Sequence, residues 1–401
     1  MAVSSPGTSG RCRHALVVRR AAFALALALA AACSARQQAD WLGPASDVAP
    51  GVQFFRTTDA TLIEPQGPIA VHLLRLDPRR VRLTSVLSGD EVLGAETVDG
   101  MAARHKGVAA INGGFFNVGT GEPTGLLKVA RELVSDTGTA KGAVVIHSPD
   151  AGVTELAFDQ ISVRMTLEFE AGGREWAVPI NGVDTTRARG RLMLFTPAYH
   201  ADTDTAANGT EWVLTGNPLF VTAVRRDRGQ TGIPRDGVVL SYGGLELPKG
   251  LAALEPGVAV RLSTEWRTVN GTDPARLDSA DHVVQGAGLL RRDGRAPGGW
   301  VETENLRAET FIDVRHPRTL IGVDRQGFIW LAAIDGRRPD HSLGMRFADL
   351  ERLSDRLDLT DALNLDGGGS TTMVIGGQVV NRPSDPTGPR AVSDALVVTL
   401  R

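Results

Sequence analysis

From Gly51 onward the chain is a succession of short β-type runs cut by Gly, Pro and Asp, and this punctuation constrains the fold more than any other feature. It predicts strands at Val52–Arg56, Ile69–Leu76, Val81–Leu87, Val108–Asn112, Ala143–His147 and Ile161–Phe169. Further strands are predicted at Val238–Tyr242, Val258–Thr264, Thr319–Val323, Ile329–Ile334, Thr371–Ile375 and Ala395–Leu400. Helical periodicity is confined to Glu96–Arg104 and to Arg346–Leu357, where Phe347, Leu350, Leu353 and Leu357 recur three and four apart. Strands outnumber helices and do not alternate with them regularly. The expected class is therefore α+β, with strand-rich mixed sheets and a few helices in a single large domain, rather than a doubly wound sheet. Hydrophobic residues make up 42% of the 401, enough apolar area to offset ordering entropy, which excludes a disordered chain. No strict repeat is present, so collagen and coiled coils are excluded as well.

The N-terminal segment has a different character. Arg11, Arg13, Arg19 and Arg20 precede a purely apolar run, Ala21–Ala32, and no acid occurs there. A basic stretch, a short apolar core and small residues are the pattern of a secretory signal peptide over residues 1–33, and the run is too short to span a bilayer. Cys12 and Cys33, the two cysteines of the chain, both lie in this leader, so no disulfide or thiol chemistry is expected beyond it. Cys33 follows Ala30–Ala31–Ala32 in a degenerate lipobox. Lipid anchoring on Cys33 and ordinary cleavage near Cys33 or Ala35 both stay open. Residues 34–50 read as a polar tether and 51–401 as the domain, which gives an exported protein: periplasmic, envelope-anchored or extracellular. With 43 basic and 46 acidic residues no nucleic acid partner is implied, and a membrane is met only through a lipid on Cys33.

Five patches set Gly or Pro beside charged or amide side chains at strand ends. They are Ile111–Asn117 (INGGFFN), His316–Thr319, Ile334–Arg338, Asn364–Thr372 (NLDGGGSTT) and Asn381–Asp385, with Arg390 just beyond. Taken singly, Asp335-Gly336, Asp366-Gly367 and Asn112-Gly113-Gly114 read best as hairpin turns, and Arg318 as an ion-pair partner. Gly367-Gly368-Gly369 before Ser370 is harder to explain as a turn, because three glycines raise the entropy of the unfolded chain. A nest of backbone N–H groups for an anion would account for it. Together the patches supply carboxylates for glycosyl chemistry and guanidinium groups for phosphate, as a sugar–phosphate substrate requires.

The ordered series INGGFFN, EPTGLL, HPRTLIGVD, IDGRRPDHSLGM, ALNLDGGGSTTMV, VVNRPSD and RAVSDALVV resembles the phosphodiester glycosidase family from about Val108 to Leu400. The resemblance implies hydrolysis of the bond between a sugar anomeric carbon and a phosphodiester, releasing free sugar and a phosphomonoester. It carries over onto Asn112, Gly113, Gly114, Arg318, Asp335, Arg337, Asp366, Gly367, Gly368, Gly369 and Ser370. Asp366 or Asp335 would then stand beside the sugar, Arg318 and Arg337 on the phosphate, and Asn112 and Ser370 on hydroxyls or phosphate oxygens. Two stretches depart from the family pattern: Val284–Leu289 lacks a Pro, and Ser393-Asp394 stands where Ala-Asn is frequent. The residues fix no cofactor, and Asp335 and Asp366 are hard donors that leave a divalent cation open. The eight His are scattered, with structural roles expected for His316 and His341. The competing expectations are a non-catalytic glycan-binding envelope protein and a phosphodiesterase that cuts the P–O bond.

Overall fold

The computed structural model describes residues 1–2, 41–136, 138–244 and 246–401. The predicted leader beyond its first two residues, including Cys12 and Cys33, lies outside the described residues. Residues Ala45–Arg401 form one compact unit of α+β type. Its described strands make sheets of seven, twelve and five, almost wholly antiparallel. No helix among the described residues is long and apolar enough to cross a membrane.

Local sequence explains most of these elements. Val81–Leu87 alternates buried and half-buried positions up to Ser85, as a strand with one covered face does, and is buried on both faces at its end. Ile329–Ile334 is apolar throughout and buried throughout, because it lies inside the seven-stranded sheet between Val71–Leu76 and Arg318–Asp324. The helix predicted at Arg346–Leu357 forms over Phe347–Arg356 and buries Phe347, Leu350 and Leu353. Its first turn is closed by Asp349, whose carboxylate accepts the Arg346 N–H at 3.1 Å. Within the stretch read as a tether, Ser46–Ala49 pair with Val52–Thr57 as an edge strand. Gly51 makes the reversal, with φ of 82° and a Cβ position 2.6 Å from that of Arg80.

The three sheets share one hydrophobic core. Leu74, Ile321, Leu331 and Leu363 of the seven-stranded sheet meet Leu83, Ile111 and Leu396 of the five-stranded sheet and Val144, Ile146 and Phe158 of the twelve-stranded one. A second cluster around Leu167, Leu194, Trp212 and Leu240 fills the far end of the twelve-stranded sheet. The first core brings the ends of Ala109–Asn112 and Asp394–Leu400, neighbours in the five-stranded sheet, against the end of Leu359–Asn364. The candidate site lies at that junction.

Candidate active site

Asn112 ends its strand fully buried and ties two sheets together. Its amide donates to the Asp366 carbonyl at 2.8 Å, and its carbonyl accepts from the Thr319 hydroxyl at 2.9 Å and the Thr372 N–H at 3.2 Å. The Gly113 carbonyl accepts the Asp366 N–H at 3.2 Å. Asn112, Gly113 and the stretch from Asp366 to Thr372 therefore meet directly, although about 250 residues of chain separate them. Arg318 and Asp335 also stand at this junction. Gly368 donates to the Pro317 carbonyl at 2.9 Å, and Asn381 links Asp335 (3.1 Å) to the Thr371 carbonyl (3.0 Å).

The glycine triplet is required by what surrounds it. A Cβ on Gly367 would lie 2.6 Å from the Pro317 carbonyl oxygen, and Gly368 has φ of 62° with the Arg337 guanidinium 3.1–3.4 Å from its Cβ position. A side chain at Gly369 would overlap Arg390 and Asp385, which pair at 2.8 Å. Two arginines, Arg337 and Arg390, thus press on the triplet. The predicted nest is only partly available: Gly367 N–H is held by its neighbour Asp366 at 2.8 Å and Gly368 N–H by Pro317. The loop's contribution is close approach more than a full set of donors.

The two predicted carboxylates have opposite environments. Asp366 is half-buried, and burial pushes its carboxyl up to about 6; the Ser370 hydroxyl, the Gly367 N–H and the Arg390 charge oppose this more weakly, and the Asp394 charge adds to it. It is the group that can hold or release a proton near neutrality. Asp335 is 1% exposed and saturated. His341 Nε2 approaches one of its oxygens at 2.8 Å and His72 Nε2 the same oxygen at 3.2 Å, while Asn381 and the Arg382 N–H donate to the other at 3.1 and 2.9 Å. Burial raises its proton affinity, but His72, His341 and the Arg382 N–H together outweigh it, and the carboxyl titrates below the usual range. Its lone pairs are engaged, so it is poorly placed to ligate a cation. Among the described residues no three His, Cys, Asp or Glu side chains stand together as a metal site.

The predicted arginines separate in the same way. Arg337 is exposed, has no carboxylate partner among the described residues, and lies 3.4 Å from His316 Nδ1. Arg318 is 1% exposed. It donates to the carbonyls of Met345 (3.0 Å), Val314 (3.0 Å) and Phe311, with its guanidinium 4.8 and 5.0 Å from the ring centroids of Phe311 and Phe347. These contacts hold the buried guanidinium as a strut at the junction. Ser370 is buried beside Asp366. The buried Asp394, whose carboxylate receives the Gly114 N–H, is the residue sequence reasoning passed over; its one trace was the Ser393-Asp394 departure. A cleft of about 680 Å³ lined by Arg82, His105, Arg131 and His282 opens elsewhere and touches none of these residues.

Residues 208–399 match the family described as phosphodiester glycosidase. That region contains Arg318, Asp335, Arg337 and Asp366 through Ser370, and leaves Asn112 outside. The bovine (Bos taurus) N-acetylglucosamine-1-phosphodiester alpha-N-acetylglucosaminidase is 27% identical over 173 residues, 43% of this chain and 29% of that protein. Matches to the curated mammalian relatives span about a third of those proteins' length. Among solved structures, a hypothetical protein from Synechocystis shares the fold at TM-score 0.73 and 22% identity, over 90% of this chain and 64% of the other. A candidate exported protein of Burkholderia pseudomallei aligns at TM-score 0.68 and 25% identity, over 83% of this chain and 74% of the other.

Proposed function

We propose, for a chain that carries a phosphodiester glycosidase domain, that it is an exported hydrolase cutting the sugar C1–O bond of a glycosyl phosphodiester. The observation that carries this reading is one juxtaposition. Asp366, a carboxyl titrating near 6, adjoins a glycine turn on which the Arg337 guanidinium rests, with no carboxylate partner among the described residues. A phosphodiester leaving from a sugar develops positive charge at C1 and negative charge on the departing oxygen. Asp366 answers the first and Arg337 the second, with Arg390 beside it. Water supplies the oxygen bonded to C1, its proton passing to the Asp366 carboxylate, and the C1–O electron pair leaves with the phosphomonoester. Arg318 and Asp335 are assigned to the framework that holds these groups in register.

Export is supported by the basic and apolar leader and by the likeness to a candidate exported protein. The test is hydrolysis of a panel of sugar-1-phosphodiesters in ¹⁸O-labelled water. The label is expected in the released sugar. Label in the phosphate would mean P–O cleavage, and binding without turnover would favour the glycan-binding alternative; either result overturns the proposal.

A further inference from the structure

Asp394 has no part in the chemistry above, yet it is 1% exposed and lies directly under the Gly113–Gly114 turn. The Gly114 N–H reaches both of its oxygens at 3.1 Å, and the Ser393 hydroxyl donates to Oδ1 at 2.8 Å. The Gly113 N–H donates to the Asp394 carbonyl at 3.0 Å. A Cβ on Gly113 would overlap the carboxylate, so this carboxyl fills the space a side chain at 113 would need. The same turn holds the working carboxyl, for the Gly113 carbonyl accepts the Asp366 N–H at 3.2 Å. Among the described residues no cation pairs with Asp394; burial pushes its carboxyl up, and the Ser393 hydroxyl and the Gly114 N–H oppose this only in part. An unpaired buried carboxylate is costly, and a neutral side chain of similar size would pack the turn at less cost.

We propose that Asp394 is a positioning residue for Asp366: it locks the Gly113–Gly114 turn from below and lays a second negative charge behind the reactive carboxyl. The inference rests on Asp366 being the site's working carboxyl. The charges facing Asp366 are Arg390, itself paired with Asp385, Arg337 across Gly368, and Asp394. Of these Asp394 favours the protonated form, in the same direction as burial.

The test is a ¹³C-carboxyl NMR titration of the full chain labelled at Asp, with the Asp366 resonance assigned from Asp366→Asn. In Asp394→Asn the amide oxygen still accepts the Gly114 N–H, and the Asp366 midpoint should move toward acid by about half a pH unit or more. Where the protein turns over substrate, the acid limb of kcat/KM should move the same way, with KM within about twofold. Ser393→Ala, which weakens the hold on the Asp394 charge and touches no contact of Asp366, is the second variant; it should give a smaller shift of the same sign. An Asp366 midpoint that stays in place in both folded variants overturns the proposal. The titration reads no turnover, so its outcome is independent of whether the glycosidase reading stands.

Discussion

At the scale of single residues, environment separates side chains that look equivalent in sequence. Asp335 and Asp366 both precede Gly at a strand end, but four donors converge on Asp335 whereas Asp366 faces burial with few. Arg318 and Arg337 diverge likewise, one stacked on Phe311 and Phe347, the other exposed on Gly368. Asp366→Asn should lower turnover by about 100-fold or more, measured as initial rate on the best sugar-1-phosphodiester. The same change should stabilise the fold. The folded carboxyl titrates near 6 against 3.8 for the free group, so the native chain keeps a proton that the unfolded chain loses between those values. Stability therefore falls as pH rises through that window, and above pH 6 the variant should be more stable by roughly 1–2 kcal/mol, discounted because the side chain is partly open to solvent. Urea denaturation at pH 5 and pH 7.5 checks this: the gain should be larger at the higher pH. Asp335 has the opposite linkage, since its depressed titration adds stability above the free-carboxyl range that is lost as pH falls through the folded value.

At the scale of elements, the strand pattern was readable because each run carries its own punctuation. Val81–Leu87 and Ile329–Ile334 form with the predicted bounds, and Val52–Arg56 gains one residue. The long strand Glu155–Ala171 begins well before the predicted Ile161–Phe169 and ends two residues after it. Pairing with Lys141–His147, Arg174–Ile180 and Ala259–Thr268 sustains it, and the local sequence does not encode those partners. At the junction of sheets Gly113 is the most exacting glycine of the site, because a Cβ there overlaps the Asp394 carboxylate. Gly113→Ala should cost about 2–4 kcal/mol in urea denaturation, because the added carbon overlaps the Asp394 carboxylate in a packed interior. Gly232→Ala, where the added carbon meets open space, should stay within about 0.5 kcal/mol of the parent. Equal effects of the two would show that the turn is not packed as described.

For the whole molecule, the core clusters of the described residues lie within residues 45–401, which form one compact unit. A chain of residues 45–401 alone should fold and melt cooperatively within a few degrees of the full-length protein, as followed by circular dichroism. Loss of the cooperative transition in the shorter chain would refute that boundary. The sequence by itself determined the α+β class, most strand positions, the helix at Phe347–Arg356, the resemblance to phosphodiester glycosidases and the patches that meet at the site. These follow from local periodicity, turn chemistry and motif order, which need no knowledge of what touches what. Only the tertiary structure decided how those patches differ: that Arg337 is exposed and Asp366 half-buried at the glycine turn, that Asp335 and Arg318 are buried and held by their own partners, and that Asp394 lies beneath Gly113. The reason is physical. A carboxyl's proton affinity and a guanidinium's freedom are set by burial and by donors arriving from elsewhere in the chain, and residues as far apart as Gly114 and Asp394 become neighbours only when the sheets close on their common core.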